Sequence, residues 1–240
     1  MRAVKGSDNF DELEKTISEI EKSSFVPSSE RNDLLIKGWE NSVEQFLEDG
    51  ILDATEEKRL AEFKGRFALS QSDLDRNGEL TKTVKAAVLR DVLNGVIPQR
   101  ISVEGNLPIN FQKGEQVVWA FSGSEYLEYK TRREFVGGSR GISVRIMKGV
   151  YYRVSAFKGH TVENTERVHI DTGWVVITTK NIYFAGSQKS IRIPYTKIVS
   201  FTPFSDGIGV MRDATTAKPQ IFVTGDGWFT YNLVTNISQL

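Results

Sequence analysis

Apolar residues change their spacing part-way along this chain. Over the first hundred residues they recur every three or four positions, which gathers them on one side of a helix. Phe10, Leu13, Ile17 and Ile20 predict a first helix that Ser7 can cap, broken at Pro27-Ser28-Ser29. Leu35, Trp39, Val43, Phe46 and Leu47 predict a second, with Gly50 as its left-handed cap. Asp53 and Glu56 supply the two halves of a capping box for a third helix carrying Leu60, Phe63 and Phe67. Leu80, Val84, Val88 and Val92 line a fourth, stopped by Gly95 and Pro98.

Beyond residue 115 the apolar residues alternate, or run in short blocks rich in Val, Ile, Tyr and Phe. Val117–Phe121 opens this part. From 171 to 212 the blocks Trp174–Thr178, Ile182–Phe184, Ser190–Ile193, Ile198–Phe201 and Ile208–Met211 are separated by brief polar turns, the pattern of a tight antiparallel meander. Trp174 opens the central strand and is expected to face the core with Val176. Gln220–Val223 should add a last strand. Residues 227–238 predict a closing helix whose Trp228, Tyr231, Val234 and Thr235 share one side, flanked by Phe229, Leu233 and Ile237. The resulting expectation is an α+β chain: a helical domain over 1–98, a linker over 99–114, and an antiparallel β domain with a C-terminal helix over 115–240.

The order "GWVVITT", "NIYFAG", "KSIRIPYTKIVSF", "DGIGV" resembles the pleckstrin-homology-like superfamily, above all its GRAM-type and bacterial members, over roughly residues 111–240. That resemblance implies an antiparallel β barrel or sandwich closed by a C-terminal helix. It also implies a module that binds lipids, peptides or proteins through its loops, often with basic residues near the first two strands, where "YKTRREF" stands here. In the N-terminal part, "EDGILDATEEKRLAEF" followed by "LSQSDLD" is similar to small acidic helical modules of the TerB-like type, and carries no functional implication.

Composition narrows the chemistry. Of 240 residues, 39% are apolar, enough for one large or two modest cores. Cysteine is absent and histidine occurs only at 160 and 169, which excludes disulfides and thiolate metal sites and leaves too few ligands for a histidine cluster. The start of the chain lacks an apolar leader core, and no apolar run approaches membrane-spanning length, so an intracellular, cytoplasmic protein is expected. The zero net charge conceals a division, because residues 1–98 sum to −6 and residues 99–240 to +6.

The basic excess is concentrated. Between 130 and 158 stand Lys130, Arg132, Arg133, Arg140, Arg145, Lys148, Arg153 and Lys158 against the single acid Glu134. These eight are the candidate anion-binding residues. The runs Ile142–Ile146 and Val150–Val154 alternate, and a three-residue turn at Met147-Lys148-Gly149 brings their apolar members to one face. Arg145, Tyr151 and Arg153 then share the other. Such a face suits phosphate groups of lipids or nucleic acid; it is equally an ordinary solvated sheet face.

Two motifs imitate chemistry. Asp73, Asp75, Asn77 and Gly78 copy the start of an EF-hand loop, but its twelfth position is Val84 instead of a bidentate Glu. Gly137-Gly138-Ser139-Arg140-Gly141 fits the hydrolase nucleophile pattern, with Glu163 or Glu166 and His169 as nominal partners. A β-alternating run follows it where a helix is required, so a glycine-rich turn is the expectation. With no catalytic constellation and no cofactor implied, the sequence reads as a non-enzymatic binding or adaptor protein. Its expected partners are other proteins, an anionic membrane surface at which it sits peripherally, or both. Nucleic-acid binding through 130–158 is the alternative, although a pI near 6.8 is low for that class.

Overall fold

The computed structural model describes residues 10–48, 52–101, 107–147, 150–214 and 217–240, with the side chains of 131–165 outside that description. Ser7 and Gly50, expected as helix caps, fall outside it too. The chain divides into two compact units. One comprises Met1–Trp119, Ile177–Lys180 and Asn232–Leu240, the other Ala120–Val176 and Asn181–Tyr231.

In the first unit the helices are α1 (Phe10–Ser24), α2 (Ser28–Phe46), α3 (Ala54–Arg66), the single turn α4 (Gln71–Leu74) and α5 (Glu79–Leu93). The capping box forms as its residues require: Asp53 Oδ1 accepts from the amides of Thr55 and Glu56, and Glu56 Oε2 accepts from the Asp53 amide. Gly95 takes φ 75° just past α5, and the Val96 amide reaches back to the Asp91 carbonyl at 2.8 Å. The core gathers Leu35, Ile36, Trp39, Val43, Phe46, Leu60, Phe63, Phe67 and Ala87, with Phe10, Leu13, Ile17 and Leu80 packed on its margin. Where the chain leaves α5, Arg100 bonds Asp91 and Glu57, and Arg90 joins the same carboxylates. Burial alone would raise the Asp91 carboxyl, but hydrogen bonds and charge from Arg100 and Arg90 hold it below the ordinary carboxylate range.

Helix α3 ends unusually. Ala68 takes φ 50°, and the Leu69 amide bonds the Lys64 carbonyl, so an L-residue fills the left-handed position that glycine normally takes. Ala68→Gly should therefore stabilise the helical unit by about 0.5–1 kcal/mol, read as a raised urea midpoint.

The second architecture is a seven-stranded antiparallel sheet, ordered β4-β3-β2-β1-β7-β6-β5. The strands are β1 (Val117–Met147), β2 (Val150–Thr178), β3 (Asn181–Gly186), β4 (Ser190–Pro194), β5 (Ile198–Pro203), β6 (Gly207–Arg212) and β7 (Gln220–Val223). Helix α6 (Gly227–Ile237) closes the chain. The fold is thus α+β, with the expected antiparallel sheet and C-terminal helix. Gly207 lies opposite Val223, and a Cβ there would meet the Phe222 carbonyl oxygen at 2.1 Å, so only glycine lets the strands approach.

Three details differ from the sequence reading. Trp174 is 36% exposed whereas Val175, Val176 and Ile177 are all buried. The end of β2 is covered on both faces, so alternation does not report its inward side. In α6 the buried residues after Gly227 are Phe229, Thr230, Leu233, Val234 and Ile237, while Trp228 is exposed and Tyr231 only half-buried. Helical spacing permits either stripe, and the bulky aliphatic one is the side covered. Finally, Gly137–Gly141 is not a turn but a continuous part of β1. Glycine weakens a strand without forbidding it when a partner strand supplies the ladder.

Candidate functional site

The basic segment lies on the β1–β2 hairpin. β1 has 31 residues and β2 has 29, yet β7 has four and β3 six. β7 meets β1 only from Glu125 to Glu128. The hairpin therefore outruns its neighbours in the sheet as a two-stranded ribbon.

Its root is firmly built. Tyr126, Phe184 and Phe222 come from three strands and stack with centroids 5.3, 5.4 and 6.1 Å apart. The Tyr126 hydroxyl donates to Glu128 Oε1 at 2.7 Å and accepts from Gln220 Nε2 at 2.8 Å. Burial pushes this phenol far above its ordinary range, and the Glu128 carboxylate adds to the rise, so Tyr126 is a neutral donor at any physiological pH. Lys189 Nζ lies 3.7 Å from the same carboxylate. Just outward, the Arg167 guanidinium sits 4.7 Å above the Phe204 ring and donates to the Tyr129 hydroxyl at 3.2 Å. The negative face of an aromatic ring attracts a guanidinium placed over it.

The turn after β3 is organised by Asp171. Its carboxylate accepts from the amides of Gln188 at 2.7 Å, Lys189 at 2.8 Å and Thr172 at 2.9 Å, and from the Ser187 hydroxyl at 3.2 Å. The Gln188 amide leads these bonds in holding the carboxyl below its ordinary value. A depressed folded-state pKa gives stability that is present above the unfolded value of about 3.9 and lost as pH falls through the folded one. Asp171→Asn would turn an N–H toward these donors. The variant should be less stable at neutral pH and lose less stability than wild type from pH 5 to pH 2, as acid-titrated urea midpoints would show.

The structure places the candidate residues as follows. Lys130 is exposed, in β1 two residues beyond Glu128. Arg132, Arg133, Arg140 and Arg145 belong to β1, Arg153 and Lys158 to β2; their side chains lie outside the described residues, as does Lys148 of the expected turn together with Gly149. Arg167 was not among the residues singled out by charge density. Its signal is pairing with aromatics distant in sequence, which periodicity does not reveal.

The residues of the two imitated motifs have partners of their own. Asp73 takes the Ser70 hydroxyl at 2.6 Å and Arg76 at 3.0 Å, Asp75 takes the amide and hydroxyl of Thr81, and Asn77 donates to Glu40. Asp75 thus caps the start of α5, whereas Asn77 reaches across to α2. Ser139 sits in mid-strand with no helix after it, and the exposed His169 contacts Thr172 at 3.0 Å.

No family model, curated protein or solved structure matches the chain. Among the described residues no helix is long and apolar enough to cross a membrane.

Proposed function

We propose that this chain is a non-enzymatic, cytoplasmic binding protein of pleckstrin-homology-like architecture. It pairs a helical adaptor unit with a basic β-hairpin that engages anionic surfaces, and protein partners are its other ligands. The observation carrying this reading is that seven of the eight candidate cations lie on the two long strands β1 and β2, all of those on β1 beyond its Glu125–Glu128 pairing with β7. The strand order and closing helix are compatible with a pleckstrin-homology-like sandwich. Each Lys or Arg near an anionic leaflet contributes about 1 kcal/mol, so several acting together suffice for peripheral membrane attachment.

Nucleic-acid binding is the second reading, and the length of the ribbon favours it. Lys130 and Arg145 both belong to β1. At about 3.3 Å per residue they stand on the order of 50 Å apart along the strand. Charges so spread suit an extended polyanion better than one headgroup, and a two-stranded ribbon fits the DNA major groove. Flotation with phosphatidylserine vesicles, beside anisotropy with a labelled duplex at physiological salt, separates these cases. Binding to vesicles alone supports the membrane reading and binding to the duplex alone supports the second. Binding to neither refutes the anionic-surface role.

A further inference from the structure

The helical unit carries an apolar groove of its own. It has a volume of about 280 Å³ and is lined chiefly by Leu13, Ile17 and Ile20 of α1 and Leu34 and Leu35 of α2, with Phe63 of α3. Glu21 and Arg31 supply charge at this lining, and their side chains are 3.0 Å apart, so they answer each other. Ile20 is 54% exposed and Leu34 56%. Single exposed apolar residues are ordinary, but several converging on an apolar groove mark an interaction surface.

The turn joining the two lining helices adds an independent observation. Phe25 follows α1 with φ 52°, and the Val26 amide bonds the Glu21 carbonyl at 3.2 Å. This is the left-handed helix stop at which glycine is usual and a bulky residue costs backbone energy. Phe25 is 91% exposed, so no packing among the described residues compensates that cost. A strained backbone that presents a fully exposed aromatic ring breaks local rules in the manner of a functional site.

The occupant follows from what the groove lacks. Its walls are helices whose backbone groups are used internally, so an extended peptide would find few partners for its own N–H and C=O groups. A helix satisfies its backbone itself and can insert aliphatic anchors from successive turns. The volume lies just under the range of about 300–1,000 Å³ usual for small-molecule sites, and suits a few side chains. Charge completes the choice: α1 and α2 together carry nine Asp/Glu against four Lys/Arg. We infer that this groove docks an amphipathic helix of a partner protein, with aliphatic anchors at i, i+3 or i+4, and i+7 and Lys or Arg along its flanks. The inference concerns the helical unit alone and stands whether or not the hairpin binds polyanions.

Two helical 18-residue peptides provide the probe, both with Leu at those anchor positions, one with Lys and one with Glu at the remaining sites. Anisotropy against the full chain should give saturable binding of the Lys peptide, at least tenfold tighter than the Glu peptide. Leu34→Asp decides between the groove and bulk charge. It adds a negative charge, so purely electrostatic attraction would strengthen, whereas groove docking should weaken at least tenfold. Phe25→Gly should weaken docking severalfold while its melting midpoint stays level or rises, because glycine relieves the turn. Absence of Lys-peptide binding, equal binding of both peptides, or unchanged or tighter binding by Leu34→Asp would overturn the inference.

Discussion

Trp39→Ala should cost the helical unit about 3–5 kcal/mol, the largest loss expected of any single truncation there. Trp39 is 1% exposed among Leu35, Val43 and Leu60 of the core, and its indole N–H donates to the Leu60 carbonyl at 3.2 Å. Alanine removes the ring, leaves a cavity that rigid helices fill poorly, and deletes the bond between α2 and α3. Trp174→Ala is the matched control, expected to cost about 1 kcal/mol or less because its ring is partly in water. Urea denaturation followed by circular dichroism at 222 nm avoids reading a lost tryptophan as lost structure. A Trp39→Ala midpoint within 1 kcal/mol of wild type would mean that the core reorganises around the gap.

The second large effect concerns binding. Reversing Arg145, Lys148 and Arg153 together to Glu should reduce attachment to anionic vesicles by roughly a hundredfold or more. Merely losing three attractions of about 1 kcal/mol each accounts for that factor, and three new repulsions add to it. The wild-type interaction should weaken in parallel as salt rises. Far-UV circular dichroism and the melting midpoint should scarcely change. A triple variant that binds as tightly as wild type would place any anionic contact elsewhere.

The legibility of this chain varied with the kind of signal. The capping box at Asp53 and Glu56, the left-handed Gly95, and the strand Gln220–Val223 are local, and the structure contains each as the sequence implies. Facial assignments failed where burial is two-sided or where either stripe of a helix is apolar enough, as at Trp174 and Trp228. Glycines misled as well: Gly137 to Gly141 look like a break by composition, yet they lie within β1. For the site, density of charge pointed to the hairpin, whereas the Arg167–Phe204–Tyr129 arrangement joins residues far apart in sequence. Phe25 was invisible as a surface aromatic, since no periodicity announces a left-handed phenylalanine.

The unequal strand lengths have a consequence for life at high concentration. Where β1 and β2 run past β7 and β3, neither has a further strand partner on its outer flank among the described residues. Such flanks invite another copy to add its own strands, the first step toward stacked aggregates. Lysine and arginine along an exposed edge are a known deterrent, because like charges must be brought together before any ladder can form. By that rule the lysines and arginines in this part of the sequence should also oppose self-association. Their protection should fade as salt screens them, so light scattering from concentrated protein should rise between about 0.1 and 1 M NaCl, where the screening length shrinks from about 10 to 3 Å.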